Sequence, residues 1–257
     1  MTPVPLDHEL IGPDGAPVLV LGGSLGTNRS LWDPQVDALA RHMRILRFDH
    51  RGHGRLPAPP GPYAIGDLGR DVLALLDRHG LARVSYCGLS LGGMIGMWLA
   101  AHAPDRIDRL VLCCTTARFD SPDPWLDRAR QVRAAGTGSI AGPVVARWFT
   151  PAFAEAAPDV VRRHAGMLAA TDDEAYAGCC EAIAAMDLRP LLPSISAPTL
   201  VLAAEHDQAI PPAHGRAIAE AIPGARPHLL AEGAHLATAE VAGEVNAEIR
   251  RHLMLEV

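Results

Sequence analysis

The chain has 257 residues, carries a formal net charge of −6, and is 49% hydrophobic. This length suits one α/β domain with an insertion, and the apolar share is enough for a large core. The acidic balance disfavours nucleic acid as a partner, because nucleic-acid-binding domains present basic patches. An anionic substrate would therefore need a local arginine.

The cysteines predict neither a disulfide framework nor a metal site. Five are present, including the adjacent pairs Cys113-Cys114 and Cys179-Cys180, and no C-x-x-C spacing occurs. We therefore expect buried thiols in a reduced compartment. The first residues lack a charged segment followed by an apolar one, and no apolar run approaches the ~18 residues of a membrane span. We expect a cytoplasmic protein with no membrane segment.

Short apolar runs alternate with amphipathic stretches along the chain. This alternation favours a mainly parallel sheet covered by helices on both faces. Strands are predicted at residues 17–22, 43–48, 84–87, 107–113, 197–203 and 226–230. Helices are predicted at residues 64–79, from about 94 onward, and at 238–253.

No strand is predicted between residues 114 and 197. Helical patterns fill this stretch, at residues 124–135, 139–149, 157–169 and 173–185. A structureless loop of this length would be rare in a compact domain. We therefore predict a core of residues 1–116 and 190–257 with a helical cap at 117–189, which would exclude water and contact the substrate.

The segment Gly88-Leu89-Ser90-Leu91-Gly92 has the G-x-S-x-G pattern of a nucleophile elbow between a strand and a helix. Small residues on either side of the serine let the strand and helix pack closely around a sharp turn. The serine would also lie at a helix N-terminus, where backbone N–H groups can face a developing oxyanion. Ser90 is the predicted catalytic nucleophile.

A serine nucleophile needs a base, and the base needs an orienting acid. Asp207 follows a predicted strand, and His235 follows the last one. The chain order Ser, Asp, His is the order that accompanies this elbow pattern. Glu205 and Asp120 are the alternatives for the acid.

An oxyanion hole needs two backbone donors. One predicted donor is the N–H of Leu91, directly after the nucleophile. The second should come from the glycine-rich loop 22–26 that follows an early strand. By position we favour the N–H of Leu25, with Ser24 as the alternative.

The segment 49–55, DHRGHGR, follows another predicted strand. No cysteines or set of carboxylates accompany its imidazole and carboxylate groups at the spacing of metal ligands, so we do not predict a metal site. We interpret it as a buried structural turn in which Asp49 or Arg51 hydrogen-bonds neighbouring loops.

Several segments together carry a family resemblance. The motifs that carry it are, in order, FDHRGHG, GLSLGGMIG, HDQAIPP and GAHLA. Through them, essentially the whole chain resembles the α/β-hydrolase superfamily. A second set of motifs is SLGT with LWDPQ, then PPGPY, GLSLGGMIGMWLAAHAPDRIDRLVLC and RWFTPAF. These motifs carry a narrower similarity, to 3-oxoadipate enol-lactonases. The resemblance implies an α/β-hydrolase fold that hydrolyses 3-oxoadipate enol-lactone in aromatic catabolism through a Ser-His-Asp acyl-enzyme, with no cofactor. The alternatives are a carboxylesterase, lactonase or perhydrolase of other small esters, and a non-catalytic ligand receptor.

Four positions depart from the family pattern. Gly23 stands where Asn or His is common, and Leu56 where Ser often follows. Met97 replaces the usual Gln, and Cys114 the usual Asn. The triad motifs match, so the departures bear on substrate choice, since Met97 and Cys114 could reshape the pocket floor.

The implied substrate is a small anionic lactone, which requires a cation nearby. Within RWFTPAF, Arg147 is predicted to bind the carboxylate and Trp148 to form a pocket wall. Trp32 and Trp125 are further predicted lining residues, and Met97 would lie at the floor. The alternative is ordinary packing for each tryptophan and a surface salt bridge for Arg147.

Overall fold

The structure, a computed structural model, describes residues 1–254. Its strands are β1 (His8–Ile11), β2 (Val18–Gly22), β3 (Arg44–Phe48), β4 (Val84–Leu89), β5 (Ile107–Cys113), β6 (Thr199–Ala204) and β7 (Arg226–Leu230). Within the described residues they form one sheet of order β1-β3-β2-β4-β5-β6-β7. β1 pairs antiparallel with β3, and the other neighbouring strands pair in parallel.

Helices occupy most of the chain between the strands. They are α1 (Asp33–Leu39), α2 (Ile65–Arg78), α3 (Leu91–His102), α4 (Asp123–Ala135), α5 (Gly138–Val145), α6 (Pro151–Ala156), α7 (Pro158–Ala169), α8 (Asp173–Ala185), α9 (Pro212–Ala221), α10 (Ala237–Glu240) and α11 (Ala242–His252). α3 packs on β4, β5 and α2, and α9 packs on β6 and β7. Of the helices in the described part of the chain, none is long and apolar enough to cross a membrane.

The burial of the central strands explains why the sheet could be predicted from the sequence. β4 is buried along its whole length, as expected for a parallel strand covered on both faces. The mostly parallel sheet flanked by helices that the sequence predicted is confirmed. The sequence missed β1, α1, α6 and α9, and the predicted last helix divides at Val241 into α10 and α11.

Helices α4 to α8, here called the cap, lie between β5 and β6 in the chain, and this described stretch contains no strand. α4 packs against α8, where Arg133 pairs with Glu174 at 2.7 Å and Glu181 at 2.5 Å. The predicted helix at 139–149 ends at Val145 in the structure. The boundaries 117 and 189 stay a prediction.

All five cysteines are free and buried. Three lie in the sheet region and two in α8: Cys87, Cys113, Cys114, Cys179 and Cys180. Burial raises the pKa of the Cys87 thiol well above its ordinary value and that of Cys180 to about 12. The Cys87 and Cys180 thiols therefore stay protonated in the folded protein.

Candidate active site

Ser90 occupies the turn between β4 and α3 with a backbone φ of +54°, a conformation rare for residues other than glycine. Its N–H donates to the Cys113 carbonyl at 2.9 Å, and the Thr115 hydroxyl donates to its carbonyl at 2.7 Å. Contacts to the end of β5 and the residues after it thus hold the strained turn in place. The turn has the form of a nucleophile elbow.

The two glycines of the elbow are required by close backbone approach. A Cβ on Gly88 would lie 2.2 Å from the Gly92 carbonyl oxygen, and one on Gly92 would lie 2.0 Å from the Gly22 carbonyl oxygen. The Gly92 N–H also donates to the Gly23 carbonyl at 2.9 Å. The sequence pattern therefore reflects packing of α3 against β4 and the end of β2.

Asp207 and His235 meet beyond the ends of β6 and β7. His235 Nδ1 lies 2.8 Å from Asp207 Oδ2, and both side chains are buried. The other oxygen, Oδ1, accepts hydrogen bonds from the N–H groups of Ala209 and Ile210 at 2.8 Å each. These bonds fix the carboxylate plane. A proton on Nδ1 directed at the carboxylate leaves the Nε2 lone pair available as a base.

The two rival acids are placed differently. Glu205 and Asp120 are both exposed, and neither contacts the His235 ring by a hydrogen bond in residues 1–254. Asp207 is therefore the acid that the structure brings to His235.

The predicted oxyanion loop faces the same cavity as the serine. Ser24 and Leu25 line this cavity together with Ser90 and His235. Among the described residues, the N–H groups of Ser24, Leu25 and Leu91 donate to no acceptor. Unpaired backbone donors beside a nucleophile are what an oxyanion hole requires. Both the Leu25 N–H and the Ser24 N–H are therefore free to act as the second oxyanion donor.

The segment 49–55 supports this loop. His50 Nε2 lies 2.9 Å from the Gly23 carbonyl, which also accepts from Gly92. Burial lowers the pKa of His50 to about 4, so its ring is neutral near pH 7. Asp49 accepts from Arg29 at 2.5 Å, and Arg51 forms a buried two-point pair with Asp71 of α2. The structure thus shows the structural turn that the sequence suggested.

A cavity of about 390 Å³ lies between the carboxyl ends of the strands and the cap. Trp125 and Trp148 line it, as predicted. Arg147 lines it too, but its side chain is exposed and donates to the Gln208 carbonyl. Arg147 therefore lies at the rim of the cavity, and its guanidinium is already hydrogen-bonded to a backbone carbonyl.

Two predicted lining residues lie elsewhere. Trp32 and Met97 are fully buried and outside the cavity lining among the described residues. Met97 lies seven positions after Ser90, about two helical turns along α3, where its side chain fills the core. Trp32 packs beneath the glycine-rich loop near Gly23. Cys114 also lies outside the lining, with its sulfur 3.9 Å from the Ala234 carbonyl.

The sequence reasoning missed several residues of the site. Arg128 and Tyr176 line the cavity from α4 and α8, and His214 lines it from α9. Glu240 contacts both the cap and the loop of His235. None of these residues belongs to a short motif, so their roles follow only from the packing of distant elements.

A sequence model described as the alpha/beta hydrolase fold matches residues 16–240. The chain belongs to the α/β-hydrolase family. The 3-oxoadipate enol-lactonase 2 of Acinetobacter baylyi is 38% identical over 237 residues, spanning 92% of this chain and 88% of that protein.

Solved structures of α/β-hydrolases agree with this assignment. The enol-lactonase from Burkholderia xenovorans LB400 is 45% identical with a TM-score of 0.94, covering 97% of this chain and 96% of that one. A thermophilic esterase from Thermogutta terrifontis, with malate bound, is 30% identical with a TM-score of 0.90, covering 97% and 93%. The resemblance to enol-lactonases found in the sequence is confirmed, and this similarity supports hydrolysis of an ester or lactone bond as the reaction class.

Proposed function

We propose that this protein hydrolyses 3-oxoadipate enol-lactone to 3-oxoadipate through an acyl-enzyme on Ser90. The observation that carries the proposal is that His235, paired with the buried Asp207, lines the same cavity as Ser90 of the elbow. The similarity to enol-lactonases supports the choice of a lactone. The reaction would belong to aromatic catabolism, and we place it in the cytoplasm.

The first half of the reaction opens the ring. Ser90 Oγ attacks the lactone carbonyl while His235 Nε2 accepts the hydroxyl proton. Asp207 stabilises the imidazolium that forms. The oxyanion of the tetrahedral intermediate accepts hydrogen bonds from the N–H groups of Leu91 and Leu25, each worth on the order of 3 kcal/mol. Collapse breaks the ring C–O bond and releases an enolate that stays attached to the acyl chain.

The second half releases the product. The enolate oxygen takes the proton that His235 accepted from Ser90, which returns His235 to its neutral form. The resulting enol tautomerises to the ketone of 3-oxoadipate, still esterified to Ser90. Water then attacks the ester carbonyl while His235 accepts a water proton, and the Ser90 oxygen leaves with the proton that His235 returns. Ser90, His235, Asp207 and water account for every bond made and broken.

The test is turnover of the enol-lactone against a panel of neutral esters. The proposal expects the lactone to have the highest kcat/KM, and Ser90→Ala to abolish both turnover and labelling by a fluorophosphonate. Asp207→Asn should lower kcat about 10⁴-fold, as removal of the orienting acid does in serine hydrolases. Wild-type protein that prefers neutral esters would instead be a carboxylesterase, and its structural relative from Thermogutta terrifontis is an esterase. Wild-type protein with neither labelling nor ester turnover would be a ligand receptor.

A further inference from the structure

Arg128 projects into the cavity without a carboxylate partner among the described residues. Arg128 of α4 is half-buried and lines the cavity, and it forms no ion pair within residues 1–254. Its neighbours on the same helix differ, since Arg130 pairs with Asp127 and Arg133 bridges to α8. The Arg128 guanidinium lies over the Trp125 ring, with Cζ 4.7 Å from the ring centroid. Stacking on the indole holds the fork in the cavity without neutralising its charge.

A second polar group beside it is also unsatisfied. Tyr176 of α8 is completely buried and lines the cavity, and its hydroxyl has no hydrogen-bond partner among the described residues. Buried hydroxyls almost always have a partner, so an unpaired one at a cavity wall points to a ligand. Burial raises the pKa of Tyr176 while the Arg128 charge opposes that rise. The hydroxyl therefore keeps its proton and can donate it.

We propose that Arg128 and Tyr176 form a subsite that binds the carboxylate of an anionic acyl group and sets the preference for anionic over neutral substrates. The subsite rests on the proposed function in that the enol-lactone bears a carboxymethyl group. A guanidinium fork and a hydroxyl donor supply the hydrogen bonds that a carboxylate accepts. Ser90 lines the same cavity, so one substrate can reach both groups.

The other charged groups of the cavity are less suited to this role. Arg147 is exposed, and its guanidinium is bound to the Gln208 carbonyl. Asp120 is exposed at the lining and repels an anion there. His214 Nδ1 lies 2.8 Å from the Thr116 hydroxyl. Charges at an exposed rim are strongly screened by water, whereas a half-buried cation is screened less.

The test uses two esters of equal acyl length, 4-nitrophenyl hemisuccinate and 4-nitrophenyl butyrate. The selectivity is the ratio of their kcat/KM values. Arg128→Met should lower this ratio about 10- to 100-fold, mainly through KM for the hemisuccinate, because a charge-assisted bond is lost. Arg128→Lys keeps the charge without the fork and should give a smaller loss. Tyr176→Phe should lower the ratio several-fold, and provides a second reading if Arg128→Met does not fold.

Arg130→Met is the matched control, because Arg130 lies on the same helix but is exposed and paired. Its ratio should equal that of the wild type. Equal effects of Arg128→Met on both esters, no anionic preference in the wild type, or a ratio lowered by Arg147→Met alone would each overturn the subsite. The ratio is measured without the enol-lactone, so failure to turn over that lactone counts against the proposed function and not against the subsite.

Discussion

Glu240 Oε1 accepts hydrogen bonds from both the backbone N–H of Thr150, at 2.9 Å, and the Thr150 hydroxyl, at 2.5 Å. Its other oxygen accepts from the N–H of Ala234 at 2.9 Å, directly before His235. The Leu236 N–H, on the far side of His235, donates to the Trp148 carbonyl of the cap segment at 3.0 Å. The loop that carries the histidine is therefore fixed against the cap on both sides of that residue.

Glu240→Ala should weaken both the fold and the catalysis. It leaves the buried N–H of Ala234 and the half-buried donors of Thr150 unpaired, which should lower the free energy of unfolding by about 1–3 kcal/mol. Loosening of the His235 loop should lower kcat on the order of 10-fold. Urea unfolding and steady-state kinetics measure the two effects. Glu244→Ala, which removes an exposed partner of His228, should change stability by less than about 0.5 kcal/mol. Equal effects of the two variants would contradict this role for Glu240.

Gly92→Ala should prevent the elbow from forming. Its Cβ would lie 2.0 Å from the Gly22 carbonyl oxygen, so β2 and α3 would have to separate. We expect loss of soluble folded protein or of fluorophosphonate labelling. Gly166→Ala in α7 is the contrasting substitution, because nothing beyond its chain neighbours and its own helix backbone lies within 4 Å of the added Cβ. It should raise the free energy of unfolding by about 0.5–1 kcal/mol. An active, stable Gly92→Ala protein would refute the packing explanation of the motif.

Mild acid should destabilise the protein through the histidines of segment 49–55. Burial lowers the pKa of His50 to about 4 and that of His53 to about 3, against 6.5 for an ordinary histidine. Below pH 6.5 the unfolded chain binds these protons first. The stability from the neutral rings is therefore complete above pH 6.5 and declines toward pH 4, by up to about 1.4 kcal/mol per pH unit for each ring.

Urea midpoints between pH 7.5 and pH 4.5 measure this slope. His50→Gln should make it shallower, although other histidines with lowered pKa values, such as His164, keep part of it. Exposed His102 provides the control, and His102→Gln should leave the slope as it is in the wild type. An unchanged slope in His50→Gln would show that folding does not lower the pKa of His50.

Tyr176→Phe should stabilise the ligand-free protein by about 1 kcal/mol, because the substitution removes a buried hydroxyl that has no partner. Added succinate should then raise the Tm of the wild type more than that of the variant, since bound ligand stabilises in proportion to its affinity. Thermal melts with and without succinate measure both effects. A lower Tm for the ligand-free variant would mean that the hydroxyl already has a stabilising partner.

The sheet and the elbow could be predicted because their signals are local. β5 and β7 have the predicted bounds, as does α8. A strand buried on both faces is a continuous apolar run, and close backbone approach leaves glycines at fixed spacing. α3 begins at Leu91 rather than near residue 94, because Ser90 itself occupies the N-cap position.

The remaining features depend on contacts between distant parts of the chain. β1 is four residues long, partly exposed and antiparallel at the sheet edge, so it lacks the pattern of a buried strand. Arg128 and Tyr176 reach the cavity only because α4 packs against α8. The sequence around a tryptophan does not show which way its side chain points. The sequence therefore predicts both Trp125 and Trp32 at the cavity, but of the two only Trp125 lines it.

The five thiols are divided between the cap and the sheet, so their reactivity reports the order in which these two layers unfold. Cys179 and Cys180 lie in the cap, whereas Cys87, Cys113 and Cys114 lie in or beside the sheet, and all five are enclosed. A thiol reagent can reach each group only when the surrounding layer has separated. The order in which peptides from the two layers are alkylated in dilute urea thus records whether the cap detaches before the sheet melts, without any introduced label.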